Sequence, residues 1–159
     1  MNLGKTVFSQ VMARVPHWEF QRIQKQFECD AIRSDGLSSW DHFLALSFAQ
    51  MTFRQSLRDI EACLDAQRGL AYHMGFRGRV SRSALSRANE KRDWRPLEAL
   101  AKKLMPRARE LYQTEPNAVD LDTPVYAIDS SLIDLSLALC PWANWTGDYA
   151  GVKLHTSLD

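Results

Sequence analysis

The sequence predicts a mostly α-helical N-terminal region followed by a short run of antiparallel strands, and three observations carry that prediction. Apolar residues recur three and four apart from Val7 to Leu111, the spacing that lines one face of an α-helix. A stretch from Thr114-Glu115-Pro116-Asn117 to Thr123-Pro124 is acidic, marked by prolines and aperiodic. After Pro124 the apolar period changes from helical to two, which is the pattern of strands. These changes divide the chain into a helical arm (1–36), a helical module (37–113), a linker (114–124) and a strand region (125–159).

In the arm, Val7, Phe8, Val11, Met12 and Val15 define a first helix, which Pro16 ends because the residue before a proline is pushed out of the α region. A second helix is expected over 17–29, with Trp18, Ile23 and Phe27 inward, and the Asp35-Gly36 turn closes the arm. Ser38 with Asp41 three residues on is a capping pattern, in which the hydroxyl accepts an orphan helix amide. The helix it starts, about 39–52, is apolar around most of its circumference and is expected to be central. Ser56 with Asp59 repeats the signal, and Leu57, Ile60, Cys63 and Leu64 form one stripe ending near Ala66. Gly75 and Gly78 then break the chain.

A basic helix follows, capped by Ser81 or Ser83, with Ala84, Leu85 and Ala88 inward. Three helices in succession, the last short and basic, form a helix-turn-helix-like module. Asp93 caps a final helix with Pro96 in its first turn. Pro106 is expected to kink or break that helix near Met105, because it removes a ladder hydrogen bond. Beyond the linker, strands are expected at Val125–Asp129, Leu132–Leu137 and Val152–Leu158, paired as a meander.

With 159 residues and 45% hydrophobic content the chain is long enough to bury a core. Its net charge of +1 conceals a strong polarisation. From Arg68 to Arg109 there are twelve Lys/Arg against three acids, while residues 1–67 hold seven against eight and residues 110–159 one against eight. Such a concentrated basic stripe is the electrostatic footprint of a phosphate-binding surface. Cys29, Cys63 and Cys140 are odd in number and widely spaced, a usage that argues against a disulfide framework and for a reducing compartment. No apolar run approaches the roughly 18 residues of a membrane span, and no signal-peptide core follows Met1-Asn2-Leu3-Gly4-Lys5. The expected location is the cytoplasm, with no membrane partner.

The candidate binding residues lie on the basic helix: Arg82, Ser83, Ser86, Arg87, Asn89, Lys91 and Arg92. Arginine can bond phosphates or guanine edges and asparagine can pair with adenine if the helix enters a major groove of double-stranded DNA. The competing reading of each is a solvated helix face. His17, His42, His73 and His155 are scattered, and core or surface roles are expected for all four. Asp129 ends an apolar strand and precedes Ser130-Ser131, a place where sheets present polar groups.

The order of these parts resembles transposases of the DDE class, in the insertion-sequence-four group that carries an extra helical N-terminal domain. The pieces that carry the resemblance are Val7-Phe8-Ser9-Gln10, Ser56-Leu57-Arg58-Asp59-Ile60, Tyr72-His73-Met74-Gly75, Ser83-Ala84-Leu85-Ser86-Arg87-Ala88-Asn89 with Lys91-Arg92-Asp93, Ala127-Ile128-Asp129-Ser130-Ser131, Trp142-Ala143, and Val152-Lys153-Leu154-His155-Thr156-Ser157-Leu158-Asp159. The resemblance implies that 125–159 is the start of an RNase H-like α/β domain, of which these are the first three antiparallel strands. It implies that Asp129 is the first acid and metal ligand of a catalytic triad. Two Mg²⁺ ions held by such acids activate a water or a DNA 3′-hydroxyl and stabilise the leaving oxygen.

The family's second Asp and its Glu lie beyond Asp159, and Asp134 and Asp159 do not stand in for them. The expectation is therefore a C-terminally truncated transposase that binds the ends of its element and does not catalyse alone. Its partners would be double-stranded DNA and either a second copy or the full-length transposase. The alternative is a DNA-binding-only module, a repressor or an inhibitory partner of the full-length enzyme.

Overall fold

The computed structural model describes residues 5–27, 36–112, 127–135, 140–146 and 149–158. They fall into two compact units, residues 1–113 and residues 114–159. The first is helical: α1 (Val7–Met12), α2 (His17–Gln26), α3 (Ser39–Met51), α4 (Leu57–Ala66), α5 (Arg68–Ala71), α6 (Arg82–Lys91) and α7 (Arg95–Tyr112). The second holds β1 (Ala127–Leu135), a 3-10 turn over Pro141–Ala143, β2 (Asn144–Thr146) and β3 (Tyr149–Leu158).

The serine caps hold as the sequence predicts. Ser38 Oγ accepts the Asp41 N–H at 2.9 Å, Ser56 Oγ the Asp59 N–H at 3.1 Å and Ser81 Oγ the Ala84 N–H at 3.2 Å. Each satisfies one of the amides that a helix start leaves without an intrahelical acceptor. Asp93 accepts the Arg95 N–H at 2.9 Å at the start of α7.

Helix α3 is the element on which the helical unit is built. Leu44, Ala45, Phe48 and Ala49 join Phe8 and Met12 of α1, Ile60 and Leu64 of α4 and Ala84, Leu85 and Ala88 of α6 in one core. Trp40 and Phe43 also pack on a second cluster formed by Phe20 and Ile23 of α2 with Leu100 of α7. Rings set the spacing in both, with Phe8 edge-on to Phe48 at 5.7 Å and Phe20 stacked on Phe43 at 5.2 Å. The arm is thus part of the same unit as the rest of the helices, because α1 and α2 bury their apolar stripes against α3 and α7.

Buried Glu19 ties α2 to α7 by ion pairs with Arg107 at 2.9 Å and Lys103 at 3.7 Å. Gly75 stands at φ +101° in the turn after α5, where a Cβ would meet Leu44 Cδ1 at 3.3 Å. Only glycine takes that conformation without strain and also admits the approach to α3.

Three expectations are corrected. Helix α7 does not break near Met105 but runs from Arg95 to Tyr112 with Pro106 inside it. Pro106 is exposed there, so its missing N–H leaves a carbonyl that water can satisfy, and six residues follow to keep the helix going. The strands expected at Val125–Asp129 and Leu132–Leu137 are one strand, β1. Ser130 and Ser131 do not turn the chain, since β3 lies alongside and pairs them with His155 and Leu154.

The meander is also replaced. The short strand β2 was not foreseen, and the order is β1-β3-β2, with β3 in the centre and both neighbours antiparallel to it. The last strand wins the middle position because its length matches β1 from Ala127↔Leu158 to Leu135↔Ala150. Residues 114–124, Val125 and the end of the expected second strand at Leu137 lie outside the described residues, as do Cys29 and Asp159.

Candidate nucleic-acid interface

Helix α6 has two faces. Ala84, Leu85 and Ala88 are buried against the core, and the arc opposite them carries Arg82, Ser83, Ser86, Arg87 and Glu90, all exposed, with Lys91 beside it. The start of α4 packs alongside, so that Ser56, Leu57 and Arg58 join Arg82, Ser83, Ser86 and Arg87 around a shallow open groove of about 620 Å³. The connection between these helices, residues 67–81, is longer than the three- or four-residue turn of a tight helix-turn-helix and includes α5.

The groove gathers three guanidinium groups and three hydroxyls beside two helix N-termini. Arg82 is the first residue of α6, which has no acid in its first turn, and Arg58 is the second residue of α4. Cations at these positions oppose the positive end of the helix dipole; in α4 Asp59 in the same turn offsets Arg58, whereas α6 has no such acid. An anion seated in the groove would meet both helix ends and the arginines at once.

Many other basic residues have internal partners. Arg79 bonds Asp65 at 2.7 Å and Arg68 reaches the same carboxylate at 3.2 Å. The Arg79 hydrogen bond, helped by the charges of both arginines, holds Asp65 below the usual carboxylate range. Arg95 does the same to Asp93, to which it bonds at 2.7 Å. Lys102 pairs with Glu98 at 2.6 Å and Arg77 covers the Tyr72 ring at 4.9 Å. The side chains of Arg58 and Arg82 make no hydrogen bond or ion pair among the described residues. The polarisation seen in the sequence is therefore concentrated further, onto the α4–α6 groove.

Two of the sequence candidates also serve the fold. Asn89 Oδ1 lies 2.7 Å from Nε2 of buried His42 on α3. Arg92 donates to the Ser38 carbonyl at 3.2 Å and to the Leu37 carbonyl. Asp41, buried beside them, accepts the Ser38 hydroxyl at 2.8 Å and the Arg77 N–H at 3.0 Å. These bonds fasten the C-terminal end of α6 to the N-terminal end of α3 and so fix how α6 is presented. Arg82, Ser83, Ser86 and Arg87 are brought together at the groove, while Asn89 and Arg92 do not line it and bond to α3 and the residues before it.

Sequence reasoning missed Ser56 and Arg58 as groove residues. The capping pattern at Ser56 fixes Arg58 in the first turn of α4, but only packing places that turn beside α6.

Burial lowers the pKa of His42 from its ordinary 6.5, the Asn89 hydrogen bond opposing and the Arg92 charge assisting. The unfolded chain then binds more protons than the native one below that value, so stability rises with pH through the window. We expect wild-type protein to lose stability as pH falls below about 6.5 and onward through the lower native pKa. His42→Gln loses less over the same range, read as urea midpoints at several pH values. Equal acid sensitivity in both proteins would contradict the His42 assignment.

Residues 3–77 match the model of a family described as a domain of unknown function, DUF4372. That span covers α1 to α5 and the α4 side of the groove. Neither curated proteins nor solved structures gave a match.

Asp129 lies within β1 opposite Thr156, and its side chain is outside the described residues. No three His, Cys, Asp or Glu side chains among the described residues converge to hold a metal ion. Magnesium is usually bound through carboxylates together with substrate phosphates and water. The described side chains do not make such a site. No described helix is long and apolar enough to cross a membrane.

Proposed function

We propose that the helical unit binds double-stranded DNA through the α4–α6 groove, as the element-end recognition part of a transposase of the DDE class. The observation that carries this reading is the convergence of Arg58, Arg82 and Arg87 with Ser56, Ser83 and Ser86 on one open surface at two helix starts. Arginines and helix-terminal amides are the groups that grip phosphate oxygens. Hydroxyls at the same surface add hydrogen bonds that fix register without reading sequence. Lys91 extends the cationic edge along α6, and the base contact proposed for Asn89 would use its amide nitrogen, since its oxygen lies 2.7 Å from His42 Nε2.

The transposase assignment rests on the sequence resemblance, together with a helical unit that precedes an antiparallel sheet. In this reading α6 is the recognition helix of a helix-turn-helix variant with a lengthened connection. The sheet is the opening of an RNase H-like domain with Asp129 as first acid, and Mg²⁺ belongs to the complete family active site.

Fluorescence anisotropy with labelled duplex DNA over a salt series tests the proposal. Affinity for duplexes bearing the element's terminal repeats should fall steeply with salt, because each neutralised phosphate contributes a log–log slope of about −0.9. A flat salt response, or no preference over unrelated duplex, would count against it.

A further inference from the structure

Phe53 is the only non-glycine at positive φ among the described residues, at +56°, and at 89% exposure it is also the most exposed of their large hydrophobic side chains. It stands just past the end of α3. The Arg54 N–H donates to the Ala49 carbonyl at 2.9 Å, the Phe53 N–H to the Gln50 carbonyl at 3.4 Å and the Thr52 hydroxyl to the Phe48 carbonyl at 2.6 Å. This is the left-handed helix stop that glycine ordinarily fills. A phenyl side chain there strains the backbone, and this ring contributes almost nothing to the core. Strain retained without a packing return is a pointer to function. The turn that holds the ring is closed by hydrogen bonds, so the ring is presented on a fixed support.

The same turn runs through Arg54 and Gln55 into Ser56, Leu57 and Arg58 at the edge of the cationic groove. We infer that Phe53 is a stacking residue, which takes an unpaired or unstacked DNA base while the groove holds the adjoining phosphates. This rests on the DNA-binding reading above. Charge complementarity selects the occupant: a polyanion with flat apolar faces suits an exposed ring in the turn that leads directly into the arginine-lined groove. Those faces are open to a side chain only where the duplex is forked or distorted. Phe53 therefore adds a preference for opened DNA to a groove whose arginines grip phosphates.

The test uses the full chain with Phe53→Gly and Phe53→Trp, a fully paired duplex, and the same duplex ending in a short unpaired fork with 2-aminopurine at the junction. Glycine suits the left-handed position, so Phe53→Gly should melt at or above the wild-type temperature. It should bind the fork about tenfold more weakly, as expected for losing one base–aromatic stack, and bind the paired duplex within about twofold of wild type. Phe53→Trp should restore fork binding and quench the 2-aminopurine.

Unchanged fork binding in Phe53→Gly would overturn the inference, as would an equal loss on both DNAs. A lower melting temperature would overturn it by showing that the ring packs in the fold. Self-association of wild type that Phe53→Gly abolishes in sedimentation would overturn it in favour of a contact between copies. If wild type binds neither DNA, the DNA-binding reading itself fails. If it binds both and Phe53→Gly is silent, only the stacking role fails.

Discussion

Replacing Arg82 and Arg87 together by alanine is expected to weaken duplex binding by about thirtyfold at ~0.15 M salt, and to make the salt slope shallower by about 1.8. Both numbers follow from one assumption, that each arginine neutralises one phosphate and so releases its share of condensed counterions. Both side chains are exposed on the outer arc of α6, and alanine is the best helix former, so the fold should be unaffected. Lys102→Ala is the control. It removes one positive charge from the same basic stretch, at a lysine paired with Glu98 at 2.6 Å, and binding should stay within about twofold, well short of the roughly fivefold that half of the double variant's effect would give. Similar losses in the two proteins would mean that overall charge and not the groove governs binding.

Leu85→Ala is expected to cost about 2–5 kcal/mol, a large part of the 5–15 kcal/mol that typically holds a domain folded. Leu85 is 0% exposed and lies in the core that α6 shares with α3 and α4. Its loss leaves a cavity under the helix that carries the groove. Stability measured by urea unfolding should drop accordingly, and DNA binding should fall in step with the folded fraction. Ser86→Ala, one residue on and facing outward, should unfold within about 0.5 kcal/mol of wild type. A loss below about 1 kcal/mol for Leu85→Ala would show that α6 does not pack as described.

The limits of the sequence reading follow the range of the forces involved. Ser38, Ser56 and Ser81 are legible as caps because the hydroxyl and the amide it serves are only three residues apart. The apolar stripe of α4 and the inward set Ala84, Leu85 and Ala88 are legible because helical periodicity is local. The helix does not break at Pro106, because the cost of one missing hydrogen bond depends on whether water reaches the carbonyl left behind, which is a property of the surface. The strand does not end at Asp129, because pairing of Ser130 and Ser131 with His155 and Leu154 of β3 keeps the chain extended where the apolar pattern pauses.

The sequence by itself determined the helical and strand halves, their caps, and the concentration of positive charge between Arg68 and Arg109, since each depends on spacing or composition alone. The tertiary structure decided where the basic residues go. It paired Arg79 with Asp65, Arg95 with Asp93 and Arg92 with backbone carbonyls, and it brought Arg58 of α4 to the same groove as Arg82 and Arg87 of α6. It also turned Phe53 outward on a left-handed helix stop. These outcomes depend on contacts between residues far apart in the chain, which only the packing around α3 brings within the few ångströms over which hydrogen bonds and ion pairs act.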